Sequence, residues 1–180
     1  MKYILILVAI TTVMQAKSQF SASFGKNAVL YIVRHAEKQE GKDPQLTDAG
    51  NQRAGDLLRT LQHIPIKRIY VTEYRRTQLT ADSMRLQLNI DTVQVRADTA
   101  CIALFDAIAA HKDINSAIVI ITHSNIIPKI LYKLGLTGFP QQNIPDAEFD
   151  NLYIVRFVNG RAELEHQKYG KPSGASATMQ

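Results

Sequence analysis

Cysteine occurs once in the 180 residues, at Cys101. A single thiol cannot close an internal disulfide, so an oxidising compartment is permitted and neither required nor excluded. The paired Cys/His spacings that hold zinc are also missing, because the five histidines lie far apart in the sequence. No run of lysine or arginine and no interleaving of aromatic with basic residues is present, which removes the usual footprint of a nucleic-acid partner. The longest apolar stretch, Tyr3 to Met14, is too short to span a bilayer comfortably. Internal repeats are absent. With 46% apolar and 21% charged residues the chain is neither disordered nor polytopic, and its length suits one domain with a sizeable core.

That first stretch has its own logic. Lys2 gives a positive start, Tyr3 to Met14 is nearly all apolar, and Ala16-Lys17-Ser18 is a small-x-small pattern. Together they predict a secretory signal peptide over 1–18, cleaved near Ser18, with an uncleaved anchor as the alternative. The expected location is therefore periplasmic or secreted, with no stable membrane insertion after cleavage. Cleavage removes Lys2 and Lys17 and no acid, so the formal charge falls from +5 to +3. Mild basicity suits an anionic substrate. A leader over 19–27, a domain over 28–170 and a disordered polar tail over 171–180 complete the expected organisation.

Within the domain, strands and helices alternate. Val29 to Val33 is a short β-branched run that ends abruptly at Arg34-His35-Ala36-Glu37. Thr47 caps a helix whose Ala54, Leu57, Leu58 and Leu61 form one apolar stripe, and Gly50 in its first turn points to close packing or a close backbone approach. A strand over 67–72 leads into Arg75-Arg76 and a helix to about Leu88. A third strand over 91–96 is followed by a helix over 102–110 with an apolar face of Ile102, Phe105, Ile108 and Ala109. Ala117 to Ile121 is the most strongly apolar strand and runs into His123-Ser124-Asn125. Asn125 is expected to cap the next helix, with Pro128 in its first turn and Gly135 at its end. Asn159-Gly160 then closes a hairpin.

Three junctions thus share one pattern, a buried strand running through basic or imidazole residues into a helix. In a parallel sheet they meet at one edge, which brings together Arg34, His35, Arg76 or Arg75, and His123. Guanidinium forks and helix N-termini suit phosphate oxygens, a neutral imidazole can attack phosphorus, and a second, protonated imidazole can stabilise the charge on the transferring group.

On these residues the chain resembles the histidine phosphatase (phosphoglycerate mutase-like) superfamily, in its small minimal-core branch, from about Val29 to Tyr169. Arg34-His35-Ala36-Glu37 is similar to the Arg-His-Gly-Glu motif, with Ala36 in place of the usual Gly. Leu46-Thr47-Asp48-Ala49-Gly50 is similar to the Leu-Thr-x-x-Gly helix start. Arg76-Thr77-Gln78-Leu79-Thr80-Ala81 resembles the Arg-x-x-x-Thr-Ala segment and selects Arg76 over Arg75. Ile121-Thr122-His123-Ser124-Asn125 resembles the strand-Gly-His segment, with Thr122 where Gly is frequent. The resemblance implies an α/β fold, a three-layer α/β/α sandwich on a mostly parallel central sheet. It implies His35 as a nucleophile forming a phosphohistidine, and Arg34, Arg76 and His123 as the phosphoryl pocket, with no metal or organic cofactor.

The leaving-group acid is expected at Asp98, with Glu37, Glu73 and Asp146 as alternatives. Asp98 would serve equally as a helix cap, and Glu37 is better suited to orienting an arginine. Asn125 is a cap or a substrate contact, and Tyr169-Gly170 covers the pocket or packs as an exposed tail. His63, His111 and His166 are expected at the surface. The function this predicts is an exported phosphomonoesterase acting on a phosphorylated small molecule or phosphopeptide. The alternatives are a protein-phosphohistidine phosphatase and an inactive anion-binding module.

Overall fold

The computed structural model describes residues 23–138 and 143–174; the expected signal peptide lies outside them. In chain order the elements are β1 Val29–Arg34, α1 Asp48–Leu61, β2 Arg68–Thr72, α2 Arg75–Gln87, β3 Thr92–Val95, α3 Ile102–Ala110, β4 Ala117–Thr122, α4 Ile127–Lys133, β5 Asn151–Val158 and β6 Arg161–Lys168. They build one six-stranded sheet in the order β3-β2-β4-β1-β5-β6. The first four strands in that order run parallel, while β5 lies antiparallel to β1 and β6 antiparallel to β5. The fold is therefore the expected three-layer α/β sandwich, closed on one side by a hairpin.

Successive residues of β1 and β4 feed opposite cores, which is why both strands are apolar without alternation. Leu30, Ile32, Ile118 and Ile120 pack with Leu104, Phe105 and Ile108 of α3 and Ile127, Ile130, Leu131 and Leu134 of α4. Tyr31, Val33, Val119 and Ile121 pack with Leu57, Leu58 and Leu61 of α1 and Met84 of α2. The α1 stripe is as expected. That of α3 is rotated: Leu104 takes the inward place, while Ile102 is 56% exposed and Ala109 also faces solvent. β3 is a half-exposed edge strand, which explains its weak apolar character. Asn159 and Gly160 both have positive φ, 51° and 73°, as the hairpin turn demands.

The domain extends beyond 28–170 at both ends. Phe24 is buried and stacks on Phe157 with centroids 4.6 Å apart, so part of the expected leader belongs to the core. At the other end, the Phe149 N–H donates to Ser173 Oγ (2.8 Å) and the Ser173 N–H donates to Asp150 Oδ2 (3.0 Å), which ties down residues assigned to a disordered tail. Tyr169 is likewise a core residue at 3% exposure and no cover for the site.

The start of α1 is built around Glu37. Thr47 caps the helix by accepting the Gly50 N–H on Oγ1 (3.1 Å), and its own N–H donates to the Glu37 carbonyl (3.0 Å). A Cβ on Gly50 would fall inside contact distance of that same carbonyl oxygen, as well as 3.1 Å from the Leu46 Cβ. Alanine in a helix interior normally gains about 1 kcal/mol over glycine. Here the clash is with backbone, so Gly50→Ala is expected to cost about 1–3 kcal/mol net, read as a lower urea midpoint.

Candidate functional site

The convergence of the two histidines follows from strand register. Arg34 of β1 pairs with Thr122 of the parallel β4, so the residues that follow them, His35 and His123, leave the sheet side by side. The His35 N–H extends the ladder by donating to the Thr122 carbonyl (2.9 Å), and the two imidazole centroids are 5.5 Å apart. β2 lies on the far side of β4, so Thr72 at its end and Arg76 in the first turn of α2 reach His123 from there. Of the two candidate arginines, Arg76 meets the site; Arg75 is exposed and uses its backbone N–H on Asp43 Oδ1.

Hydrogen bonds fix both rings. His35 Nδ1 lies 2.8 Å from the Ala36 carbonyl, which only accepts, so Nδ1 carries the proton and Nε2 is left with a free lone pair. Arg76 Nη2 donates to His123 Nδ1 (3.3 Å), which puts the His123 proton on Nε2, facing Thr72 Oγ1 at 3.0 Å. Thr72 Oγ1 in turn reaches Thr77 Oγ1 (3.0 Å), whose hydroxyl donates to the Tyr74 carbonyl (2.8 Å). Burial, then the charges of Arg34, His123 and Arg76, pushes the His35 pKa down to about 3 against the opposing pull of the Ala36 hydrogen bond. Burial and the two arginines push His123 down to about 4. Both rings are neutral near pH 7, so His123, buried beside two guanidiniums, lacks the proton expected of the second imidazole. For His35, neutrality is the state a nitrogen nucleophile requires.

The arginines are held at their tips. Arg34 Nη1 donates to the carbonyls of Pro145, Asp146 and Glu148 at 3.0–3.2 Å. The Nε atoms of Arg34 and Arg76 are buried without a partner. Two orphan N–H donors and two neutral imidazoles beside two guanidiniums make a seat for a tetrahedral oxyanion.

Of the four carboxylates considered as acids, Glu37 and Glu73 are committed elsewhere, and Asp98 keeps one buried oxygen, Oδ1, without a partner. Asp98 Oδ2 accepts from the Ala103 N–H at 3.4 Å, the helix-cap alternative, and no hydrogen bond or ion pair joins it to the pocket among the described residues. Glu37 is gripped by Arg53, with three contacts of 2.7–2.9 Å, and so orients an arginine as expected. Glu73 Oε2 accepts from the Ala97 N–H (2.7 Å). Asp146 alone approaches a pocket residue, at 3.5 Å from Arg34 Nη2, with its side chain 99% exposed.

Asn125 is exposed and does not cap α4, whose N-cap is Ile126. His63, His111 and His166 lie at the surface. The sequence reading did not single out Thr72, Phe149 or Thr80. Thr80 Oγ1 accepts the Ala36 N–H (2.9 Å) and donates to the Arg76 carbonyl (2.6 Å), so it couples the nucleophile loop to α2. Its signal was present in the Thr-Ala pair used to select Arg76. Ala36 itself is fully buried against Leu46, Ala54 and Leu79, so its methyl fills space where the related motif has glycine.

The family model described as histidine phosphatase superfamily (branch 1) matches residues 30–100, the span that carries Arg34, His35 and Arg76. Over that span, less than half of the chain, the sequence resembles the histidine phosphatase superfamily. The chemistry general to that superfamily is hydrolytic, on small phosphorylated substrates. No curated protein matches the sequence. Among solved structures it resembles the alpha-ribazole phosphatase of Shigella flexneri, 14% identical over 76% of this chain and 94% of that one, with a TM-score of 0.58. It also resembles phosphoserine phosphatase of Entamoeba histolytica, solved with 3-phosphoglyceric acid, at 16% identity over 80% and 97% and a TM-score of 0.54. A third is an Agrobacterium tumefaciens protein provisionally assigned as phosphohistidine phosphatase SixA, 18% identical over 80% and 98% with a TM-score of 0.55. At such identities the likeness is one of fold. Among the described residues no helix is long and apolar enough to cross a membrane, and no group of three or more His, Cys, Asp or Glu is placed to hold a metal ion.

Proposed function

We propose that the protein is an exported phosphomonoesterase that works through a phosphohistidine on His35. The observation that carries this reading is the His35 tautomer, with Nδ1–H spent on the Ala36 carbonyl and the Nε2 lone pair free beside two unpaired guanidinium N–H groups. In the proposed reaction His35 Nε2 attacks phosphorus, the bond from phosphorus to the ester oxygen breaks, and the leaving alcohol collects its proton from the solvent side of the pocket. Water then attacks the phosphohistidine, releasing inorganic phosphate and restoring the ring. Arg34 and Arg76 balance the charge on the equatorial oxygens, and His123 holds the Arg76 guanidinium through Nδ1. Export rests on the pattern of Lys2, the apolar Tyr3 to Met14 and Ala16-Lys17-Ser18.

The test is hydrolysis of p-nitrophenyl phosphate together with rapid quenching on labelled substrate. The expected result is turnover with a phosphoprotein that is labile to acid and stable to base. Tight phosphate binding without turnover would instead make the protein an anion-binding module.

A further inference from the structure

Each of the two pocket arginines lies over an aromatic ring. The Arg34 Cζ is 4.2 Å from the centroid of Phe149, and the Arg76 Cζ is 4.3 Å from that of Tyr74. The same rings flank the histidines: Phe149 and His35 have centroids 6.1 Å apart, and Tyr74 meets His123 edge-on at 5.3 Å. The tips of the guanidiniums are engaged, Arg34 Nη1 by three loop carbonyls and Arg76 Nη2 by His123. On each, the buried Nε–H is without an acceptor, while Arg34 Nη2 lies 3.5 Å from Asp146 Oδ1 and Arg76 Nη1 4.0 Å from Asp43 Oδ1.

We propose that Phe149 and Tyr74 are positioning residues that set the planes of the two guanidiniums, so that their orphan Nε–H groups converge on one phosphoryl group. The inference rests on the phosphatase reading above. Tip hydrogen bonds alone leave a guanidinium free to rock about its long stem, and a ring beneath it removes that freedom while adding an attraction that grows as water is excluded. Both rings are themselves anchored through the backbone. The Phe149 N–H donates to Ser173 Oγ, and the Tyr74 carbonyl accepts from Thr77 Oγ1. The anion seat is thus preorganised from two loops distant in sequence, and no substrate energy is spent on orienting it.

Calorimetric titration of the full chain with inorganic phosphate separates this role from others, because phosphate has no leaving group to touch a ring. Phe149→Leu and Tyr74→Leu are each expected to weaken phosphate binding about tenfold, with kcat/KM for p-nitrophenyl phosphate falling in parallel. Phe149→Tyr and Tyr74→Phe keep the stack and are expected to bind within about twofold of wild type. Tyr74 is only half-buried, so its variants carry the test even if Phe149→Leu fails to fold. Unchanged phosphate affinity in the leucine variants, with only the KM of the aryl ester raised, would make the rings walls for substrate and overturn the proposal. Equal losses in the ring-retaining variants would overturn it too. A wild type that neither binds phosphate nor hydrolyses the ester defeats the phosphatase reading along with it, whereas an active wild type with unaffected leucine variants defeats this inference alone.

Discussion

His35→Ala is expected to lower kcat for a phosphomonoester by at least about a thousandfold while leaving phosphate affinity nearly unchanged, because the attacking nitrogen goes and the arginine seat stays. Its partner in the wild type is a backbone carbonyl, Ala36, so no charged group is stranded by the substitution. The pH profile adds a second signature. Ring protonation, which blocks attack, sets in only below about 4, since the two pKa values are pushed to about 3 and about 4. The acid limb of kcat/KM should therefore follow the second ionisation of the substrate, near about 6, and not an ordinary histidine. Stability has its own pH dependence from the same rings. Folding depresses both pKa values below the ordinary 6.5, so between about pH 6.5 and 4 the unfolded chain binds more protons than the native one. Stability is then lost as pH falls through that window, and a urea midpoint that does not drop between pH 7 and 4.5 would contradict the neutral assignment.

How far the sequence carries can be seen at particular residues. Arg34, His35 and His123 were legible because a buried parallel strand announces itself by its apolar run, and its end must fall on the sheet's carboxyl edge. Gly50 was legible as a close approach, and the structure supplies its partner, the Glu37 carbonyl. The α3 face was misjudged because Ile102, Leu104 and Phe105 offer two overlapping stripes, and only docking on the sheet chooses between them. Phe149 carried no signal at all: one aromatic in a polar loop has no periodicity to place it. The role of Asp98 was ambiguous for a physical reason, since a carboxylate after a strand and before a helix suits a cap as well as an acid.

Arg53 shows the same limit more sharply, and its loss has the largest expected effect on stability. Sequence alone makes it one more charged residue on a helix, yet it is 4% exposed and ties three segments together. Its Nε and Nη2 hold Glu37, two residues after His35, while Nη1 donates to the Tyr169 carbonyl (3.2 Å) and Nη2 to that of Lys171 (3.0 Å). Removing one partner of a buried ion pair strands the other, at a cost of about 3–5 kcal/mol. Glu37 keeps 21% side-chain exposure, so Arg53→Ala should sit near the lower end of that range. Replacing both partners with apolar residues often restores what breaking a pair loses. Here a Glu37→Leu/Arg53→Met double variant should recover only part, because the Tyr169 and Lys171 carbonyls still lose their donors. Urea unfolding of the two variants beside wild type at constant m-value measures this. A double variant as stable as wild type would mean that Arg53 serves Glu37 alone and that the C-terminal segment holds its place without it.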